Sequence, residues 1–178
     1  MKRQSTKVAL CGIISSVSVV LMFMTGLFPF LTYTLPAVSG ALLSILVIEI
    51  NKKWATGAYV AISLLSILIV ADKEAAMFFV AFFGYYPIIK EVIERKLSKF
   101  FEWIVKLLLF NFTAVAAYAI IIYVFGIPFD ELEEYGKYSA LILLAMGNVI
   151  FLLYDYCMTS LITLYYKKWQ KRFHSLFK

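Results

Sequence analysis

The sequence predicts an all-α integral membrane protein, a single membrane domain over residues 1–178 built as a bundle of six transmembrane helices with both termini in the cytosol. Hydrophobic residues make up 63% of the chain and charged residues 16%, against about 45–50% and about 25% in ordinary soluble domains. Apolar stretches of spanning length alternate with short polar segments. Of the 17 lysines and arginines, 15 fall on one side of the resulting map, and such a bias marks the cytosolic side.

The six spans follow from the apolar runs between the charged clusters. A hydrocarbon core of about 30 Å needs about 20 helical residues. Span one follows a basic N-terminus, and no small-residue cleavage site comes after it, so we expect it to be retained rather than removed as a signal peptide. We place the spans at about residues 8–25, 36–50, 54–71, 75–89, 103–125 and 138–166.

The connections between the spans are either short or charged. An uncharged connection between Pro29 and Pro36 follows span one, and a tight turn, Asp72 to Glu74, joins spans three and four; both fall on the external side. On the cytosolic side, Pro87 lies near the end of span four, and the segment 90–101 has apolar residues at helical spacing among its charges. We therefore expect residues 90–101 to form an interfacial helix on the membrane surface.

The sequence offers little of the chemistry that enzymes use. P-loop, HExxH, CxxC and GxSxG patterns are absent from it, and the only histidine, His174, lies in the basic C-terminal tail. We therefore expect no enzyme activity, no cofactor and no metal. The net charge of +6 reflects the cytosolic bias and attraction to anionic lipid headgroups, so we expect the lipid bilayer, and no nucleic acid, as a partner.

Polar residues inside the spans are the first candidate functional residues, because such groups are costly in a membrane and usually face a cavity or a partner. Asp155 lies in span six, and Asn148 precedes it by seven residues and so lies on nearly the same face. Two interpretations remain open. These residues either form a hydrogen-bonded clamp between helices or line a substrate pocket.

The external connections supply the second candidate site. Thr32 and Tyr33 lie at the centre of the first connection, and Asp72, Lys73 and Glu74 form the turn between spans three and four. Together they would offer donors, acceptors and a ring to a small polar ligand arriving from outside. The simpler interpretation of the turn is that any short external connection needs polar residues.

Small residues mark one face of span one, where Ala9, Gly12 and Ser16 form a stripe. Span two carries a similar stripe that includes Gly40 and Ser44. Such stripes let two helix backbones approach closely in lipid. The span-one stripe therefore predicts either an internal helix contact or a surface that docks another membrane protein.

The basic N-terminus, the six spans in a short chain, the small-residue stripe and the Pro-containing external connection together identify a similarity. The chain resembles the substrate-binding S component of energy-coupling factor (ECF) vitamin transporters, whose Ala-xxx-Ala signature in span one corresponds here to Ala9 followed by Ile13, or Gly12 followed by Ser16. The resemblance implies binding of a vitamin-like small molecule and a partnership with a transmembrane coupling subunit and two ATPases. It also implies a bacterial plasma membrane as the location.

Two other classes of function remain as alternatives. An integral membrane enzyme would act on lipid at the cytoplasmic rim, and it would need six residues of that rim to approach one another: Glu49, Tyr85, Tyr86, Lys90, Glu91 and Asp155. A structural or regulatory membrane protein would need no ligand at all. The molecule that co-purifies with the protein would distinguish these classes.

Overall fold

The computed structural model describes residues 4–125 and 139–169, and these residues are helical throughout apart from short connections, with no strand among them. They form seven α-helices: α1 Gln4–Met24, α2 Thr34–Glu49, α3 Lys52–Ile69, α4 Lys73–Phe78, α5 Tyr86–Lys96, α6 Lys99–Phe125 and α7 Ser139–Leu164. A 3₁₀ turn at Pro29–Leu31 precedes α2, a π-helical segment at Phe79–Phe83 joins α4 to α5, and another at Tyr165–Trp169 follows α7. The predicted all-α fold is confirmed.

Five helical segments of the described chain are long and apolar enough to cross a membrane: Gln4–Met24, Lys52–Ile69, Lys73–Lys96, Lys99–Val124 and Leu141–Lys168. They correspond to predicted spans one, three, four, five and six. Span two corresponds to α2, which is apolar but has only 16 residues, and a helix of that length rises about 24 Å. A helical architecture with several helices long and apolar enough to span a membrane is therefore confirmed, while the count of six spans and the cytosolic position of the termini stay predictions.

The helix predicted for residues 90–101 differs from the structure. Helix α5 begins at Tyr86, with Pro87 in its first turn, and ends at Lys96. Proline is favoured there because its missing N–H would have no helical partner. Leu97 is extended, and α6 begins at Lys99. The side chains of Lys90 and Ile93 are buried, whereas residues 94–100 are exposed. The helix is therefore shorter than predicted, and its position at the membrane surface stays a prediction.

The core of the bundle forms where α2 meets its neighbours. Helices α1, α2 and α3 pack against one another, and Met22, Leu43 and Ile62, one from each helix, are fully buried. On the other side of α2, the backbone of the π-helical segment approaches very closely. A Cβ atom built on Gly40 would lie 2.1 Å from the carbonyl oxygen of Phe83, so the small-residue stripe of α2 is an internal helix contact.

The stripe on α1 has the opposite environment. Ala9, Gly12 and Ser16 are all exposed, and a Cβ atom built on Gly12 would meet nothing within 4 Å. The hydroxyl of Ser16 donates to the carbonyl oxygen of Gly12 within the same helix, at 2.8 Å. The stripe therefore does not make the internal helix contact that was one of its two interpretations.

Candidate functional site

A cavity of about 390 Å³ lies between the α4 and π-helical segments on one side and α6 and α7 on the other. Its volume falls within the range of sites that bind small molecules. Sixteen of the described residues line it, and half of these are aromatic, although aromatic residues are 17% of the chain. The eight aromatic lining residues are Tyr33, Phe78, Phe82, Phe83, Phe110, Tyr118, Phe151 and Tyr154.

The rings of the cavity wall hold one another in fixed orientations. Phe110 of α6 and Phe151 of α7 are stacked, with their centroids 4.9 Å apart and an interplanar angle of 8°. Phe82 meets both of them edge to face, at centroid distances of 5.3 Å and 5.6 Å. Edge-to-face and stacked pairs are the favoured arrangements of aromatic rings, so this part of the wall is a preformed surface.

One of the residues that the sequence predicted for an external site, Tyr33, forms part of the cavity wall. Tyr33 lines the cavity, packs edge to face on Phe78 at 5.3 Å, and donates from its hydroxyl to Oε1 of Glu74 at 2.5 Å. Burial, together with nearby Tyr118 and Glu74, raises the pKa of Tyr33 above its ordinary value. Its hydroxyl therefore stays protonated as the donor to Glu74.

A second hydrogen bond ties the same two connections together. The hydroxyl of Thr32 donates to Oδ2 of Asp72 at 2.8 Å, while Oδ1 of Asp72 accepts from the backbone N–H of Ala75 at 2.9 Å and so caps α4. Lys73 turns away from this group, since its Nζ donates to the carbonyl oxygens of Ile67 and Val70 at the end of α3, both at 2.9 Å. Of the five predicted external residues, Tyr33 alone lines the cavity.

The two predicted residues of span six, Asn148 and Asp155, lie beside the cavity, and their polar groups bond to side chains of neighbouring helices. Asn148 of α7 and Asn111 of α6 exchange two amide hydrogen bonds, each 2.9 Å long. Each amide nitrogen also donates to a carbonyl oxygen of its own helix, that of Leu107 or Leu144. The geometry matches the clamp interpretation, because reciprocal amide pairs of this kind join helices in lipid.

Asp155 lies at the centre of a buried ionic cluster. Its Oδ1 accepts from the hydroxyl of Tyr86 and from Nζ of Lys90, and its Oδ2 accepts from Nζ of Lys106 at 3.1 Å. The two lysines are 1% and 0% exposed. The aspartate of α7 thus holds one lysine of α5 and one of α6, which ties three helices together.

Two glutamates complete the ionic cluster. Glu94 lies 2.5 Å from Nζ of Lys90 and 2.8 Å from Nζ of Lys106, and Glu102 lies 2.6 Å from Nζ of Lys106. Both glutamates are more exposed than the lysines they contact. Sequence reasoning missed these partners, although Lys90–Glu94 and Glu102–Lys106 are each four residues apart, which is the spacing of helical ion pairs.

Three of the six residues proposed for a lipid-modifying enzyme bond to one another. Tyr86, Lys90 and Asp155 are in contact within the cluster. Glu49 instead accepts from the hydroxyl of Tyr165 at 2.7 Å, and Glu91 pairs with Lys52 at 3.1 Å. Among residues 4–125 and 139–169, no group of three or more histidine, cysteine, aspartate or glutamate side chains is placed to hold a metal ion.

A shallow groove of about 460 Å³ runs along the exposed face of α1 and continues onto α3. Gly12 and Ser15 of α1 line it together with Gly57 and Ala61 of α3, so small residues from both helices form its floor. Lys53 and Trp54 also line the groove. Of the predicted docking stripe, Gly12 lines this groove, whereas Ala9 and Ser16 are not among its lining residues.

No protein-family model matches the chain, and neither a curated protein nor a solved structure matches it significantly.

Proposed function

We propose that the protein is the substrate-binding membrane subunit of an ECF-type transporter and that it takes up a vitamin-like small molecule. The observation that carries the proposal is the aromatic cavity, which has the volume of a ligand site. The external connections proposed as a ligand entrance supply Tyr33 to its wall. In this proposal the ligand enters from the external side and is held between the π-helical segment, α6 and α7.

In this proposal, the hydrogen bonds between the two external connections hold the ligand site closed on its external side. Tyr33–Glu74 and Thr32–Asp72 join the connection after α1 to the turn before α4. Hydrogen bonds to charged groups contribute about 1.5–3 kcal/mol each, so breaking both of them needs a compensating gain. A ligand that contacts Tyr33 supplies that gain through its differential affinity for the two arrangements.

The exposed face of α1 takes the role of the docking surface for a transmembrane coupling subunit. Ala9, Gly12 and Ser16 leave the helix backbone accessible, and close backbone approach is what small-residue stripes provide between helices in lipid. The coupling subunit would bring two ATPases, so ATP hydrolysis would lie outside this chain.

A bulky substitution on the docking face tests the transporter assignment. Gly12→Leu should abolish co-purification of a coupling subunit and of ATPase activity with the tagged protein. It should leave the thermal stability of the isolated protein unchanged, because nothing lies within 4 Å of the added Cβ. Ala145→Leu, a matched change at an exposed position of α7, should retain the complex.

Two results would contradict this assignment. One is a wild-type protein that brings down no ATPase activity from its own membranes, which would favour a structural protein or an enzyme. The other is a complex that survives Gly12→Leu intact, which would mean that α1 does not dock the coupling subunit.

A further inference from the structure

The chemistry of the cavity wall determines which class of ligand it can hold. Among the described residues that line it, none carries a charge, and the polar atoms of its side chains are the hydroxyls of Tyr33, Tyr118 and Tyr154. A carboxylate, phosphate or ammonium group buried there would lose its hydration without gaining a counter-ion, and that loss is prohibitive.

The nearest ionic groups are unavailable to a ligand. Lys90, Lys106 and Asp155 belong to the ionic cluster and are buried against one another. Tyr86 lies between the cluster and the cavity, because its ring packs on Phe82 and Phe151 of the wall at 4.8 Å and 5.6 Å. A charged ligand would have to break this packing and then compete with ion pairs that are already formed.

The cavity also has an open side that faces away from the bundle. Val115 of α6 and Met146 and Ile150 of α7 line it and are 57%, 56% and 58% exposed. All three belong to segments apolar enough to cross a membrane, so lipid chains would surround this opening. An uncharged, lipophilic molecule can reside there without a polar wall to meet it.

The aromatic content of the wall favours rings over alkyl chains. Phe110, Phe151 and Phe82 form the preformed stacked and edge-to-face surface, and a ligand ring gains from such contacts beyond the area that it buries. Gly147 widens the space beside this surface, since a Cβ atom there would lie 3.3 Å from Cζ of Phe110. An acyl chain would not need this arrangement.

We infer that the cavity binds an uncharged, ring-containing lipophilic molecule, and that phosphorylated or carboxylated compounds are excluded from it. This inference rests on the proposed function, because it names the class of the molecule that the subunit would bind. It narrows the cargo from vitamin-like compounds in general to neutral aromatic ones.

A pair of dyes with the same rings tests the inference directly. N-phenyl-1-naphthylamine is neutral, whereas 8-anilinonaphthalene-1-sulfonate carries a sulfonate on the same ring system. Saturable fluorescence of each dye is measured with the full chain in phosphatidylcholine nanodiscs, after subtraction of empty discs. The neutral dye should bind with a dissociation constant at least about tenfold lower than that of the sulfonated dye.

Two glycine variants locate the bound dye. Gly147→Leu places a side chain in the cavity and should weaken binding of the neutral dye about tenfold. Gly57→Leu fills the outer groove on α3, where nothing lies within 4 Å of the added Cβ, and should leave binding unchanged. Ile150→Lys, at the open side of the cavity, adds an ammonium without filling the interior. It should weaken the neutral dye and strengthen the sulfonated one.

The contradicting outcomes separate this inference from the proposed function. If the sulfonated dye bound more tightly and Gly147→Leu abolished that binding, the cavity would still be the ligand site, but the inference that its ligand is uncharged would be contradicted. Displacement of the neutral dye by hexadecanol as readily as by 2-naphthol would make the cavity an acyl-chain slot and also overturn the class. If both dyes bound and Gly147→Leu changed neither affinity, the cavity would not be the ligand site.

Discussion

At the scale of single residues, the dominant feature is the ionic cluster of Asp155, Lys90 and Lys106 with its two glutamates. Removing charged groups from water costs several kcal/mol for each ion, and the cost is recovered only when every charge has good partners. Here each buried lysine meets two or more carboxylates, and the aspartate accepts three hydrogen bonds. The cluster therefore specifies how α5, α6 and α7 fit together.

Two tyrosines with buried hydroxyls allow the contribution of one hydrogen bond to be measured. Tyr86 donates to the ionised Asp155, whereas the buried hydroxyl of Tyr154 has no hydrogen-bond partner among the described residues. Tyr86→Phe should lower stability by about 1.5–3 kcal/mol, the usual loss for a hydrogen bond to a charged group. Tyr154→Phe should leave stability unchanged or raise it, because it removes a desolvated group and breaks no bond.

The measurement is the thermal unfolding midpoint of both variants and the wild type in one detergent. The expected order places Tyr86→Phe lowest and Tyr154→Phe at or above the wild type. Both substitutions keep the ring and remove only the hydroxyl. Equal losses in the two variants would therefore show that the two rings do not keep their packing equally, so that the difference cannot be assigned to the hydrogen bond. A stable Tyr86→Phe would contradict a structural role for the bond to Asp155.

Sequence reasoning at this scale succeeded for the residues that lie in the two short external connections. The first external connection and the Asp72–Glu74 turn were expected to lie together, and Thr32 and Tyr33 do bond to Asp72 and Glu74. Of the partners of Asp155, Tyr86 and Lys90 were grouped with it only in the membrane-enzyme alternative, and Lys106 was not predicted, because all three lie 49 to 69 residues away on other helices. Only the packing of three helices brings them together, and helical periodicity does not determine that packing.

At the scale of secondary-structure elements, the π-helical segment at Phe79–Phe83 is the most consequential departure from a regular bundle. The N–H of Gly84 donates to the carbonyl oxygen of Phe79 at 2.8 Å, five residues earlier. This wide turn brings the carbonyl of Phe83 against α2 at Gly40 and places Phe82 and Phe83 in the cavity wall. Insertions of this kind are frequent at functional sites.

A matched pair of glycine substitutions tests the contact between α2 and the π-helical segment. Gly40→Ala would place its Cβ 2.1 Å from the Phe83 carbonyl oxygen, so the two backbones must separate, at a cost of about 1–3 kcal/mol. Gly12→Ala meets nothing within 4 Å and should be neutral or stabilising by up to about 1 kcal/mol, because alanine favours helix.

Thermal unfolding in detergent separates these two outcomes, and dye binding reports on the cavity in the same samples. We expect Gly40→Ala to lose both stability and ligand affinity, since the shift moves Phe83. A Gly40→Ala protein as stable as Gly12→Ala would contradict the close approach of the two elements.

The elements themselves were predicted well where hydrophobicity alone decides them. The predicted spans match five long apolar segments and one short one, and α2 differs from its predicted span by about two residues at its start. The π-helical segment was not predicted, because a run such as Phe79–Phe83 is equally apolar in an α-helix. The break between Lys96 and Lys99 was not predicted, and the position of residues 90–96 at the membrane surface stays a prediction.

At the scale of the whole molecule, the cavity and the ionic cluster are adjacent parts of one assembly. Tyr33 lies at one end of the cavity, and Tyr86 joins the wall at Phe82 and Phe151 to the cluster at Asp155. The distribution of lysine and arginine predicts that the Tyr33 end faces outside and that the cluster lies toward the cytosol. That orientation, like the transporter assignment, stays a prediction.

The sequence predicts the membrane class and a position for a ligand site, but the cavity itself depends on tertiary packing. Aromatic residues are spread along the chain, and nothing in their spacing shows that Phe110 and Phe151 stack across two helices. Asn148 and Asp155 were candidates for the site because they are polar within a span. Their polar groups are instead satisfied by neighbouring helices, and the residues beside them, Gly147 and Tyr154, line the cavity.

The central claim is that the aromatic cavity holds a small molecule, and the most direct measurement is the identity of what co-purifies with the protein. Wild type, Gly147→Leu and Gly57→Leu are purified identically, denatured, extracted and compared by mass spectrometry. We predict a stoichiometric, uncharged, ring-containing compound in the wild type and in Gly57→Leu that is lost from Gly147→Leu. The same extract from all three proteins, containing only membrane lipids, would contradict the claim.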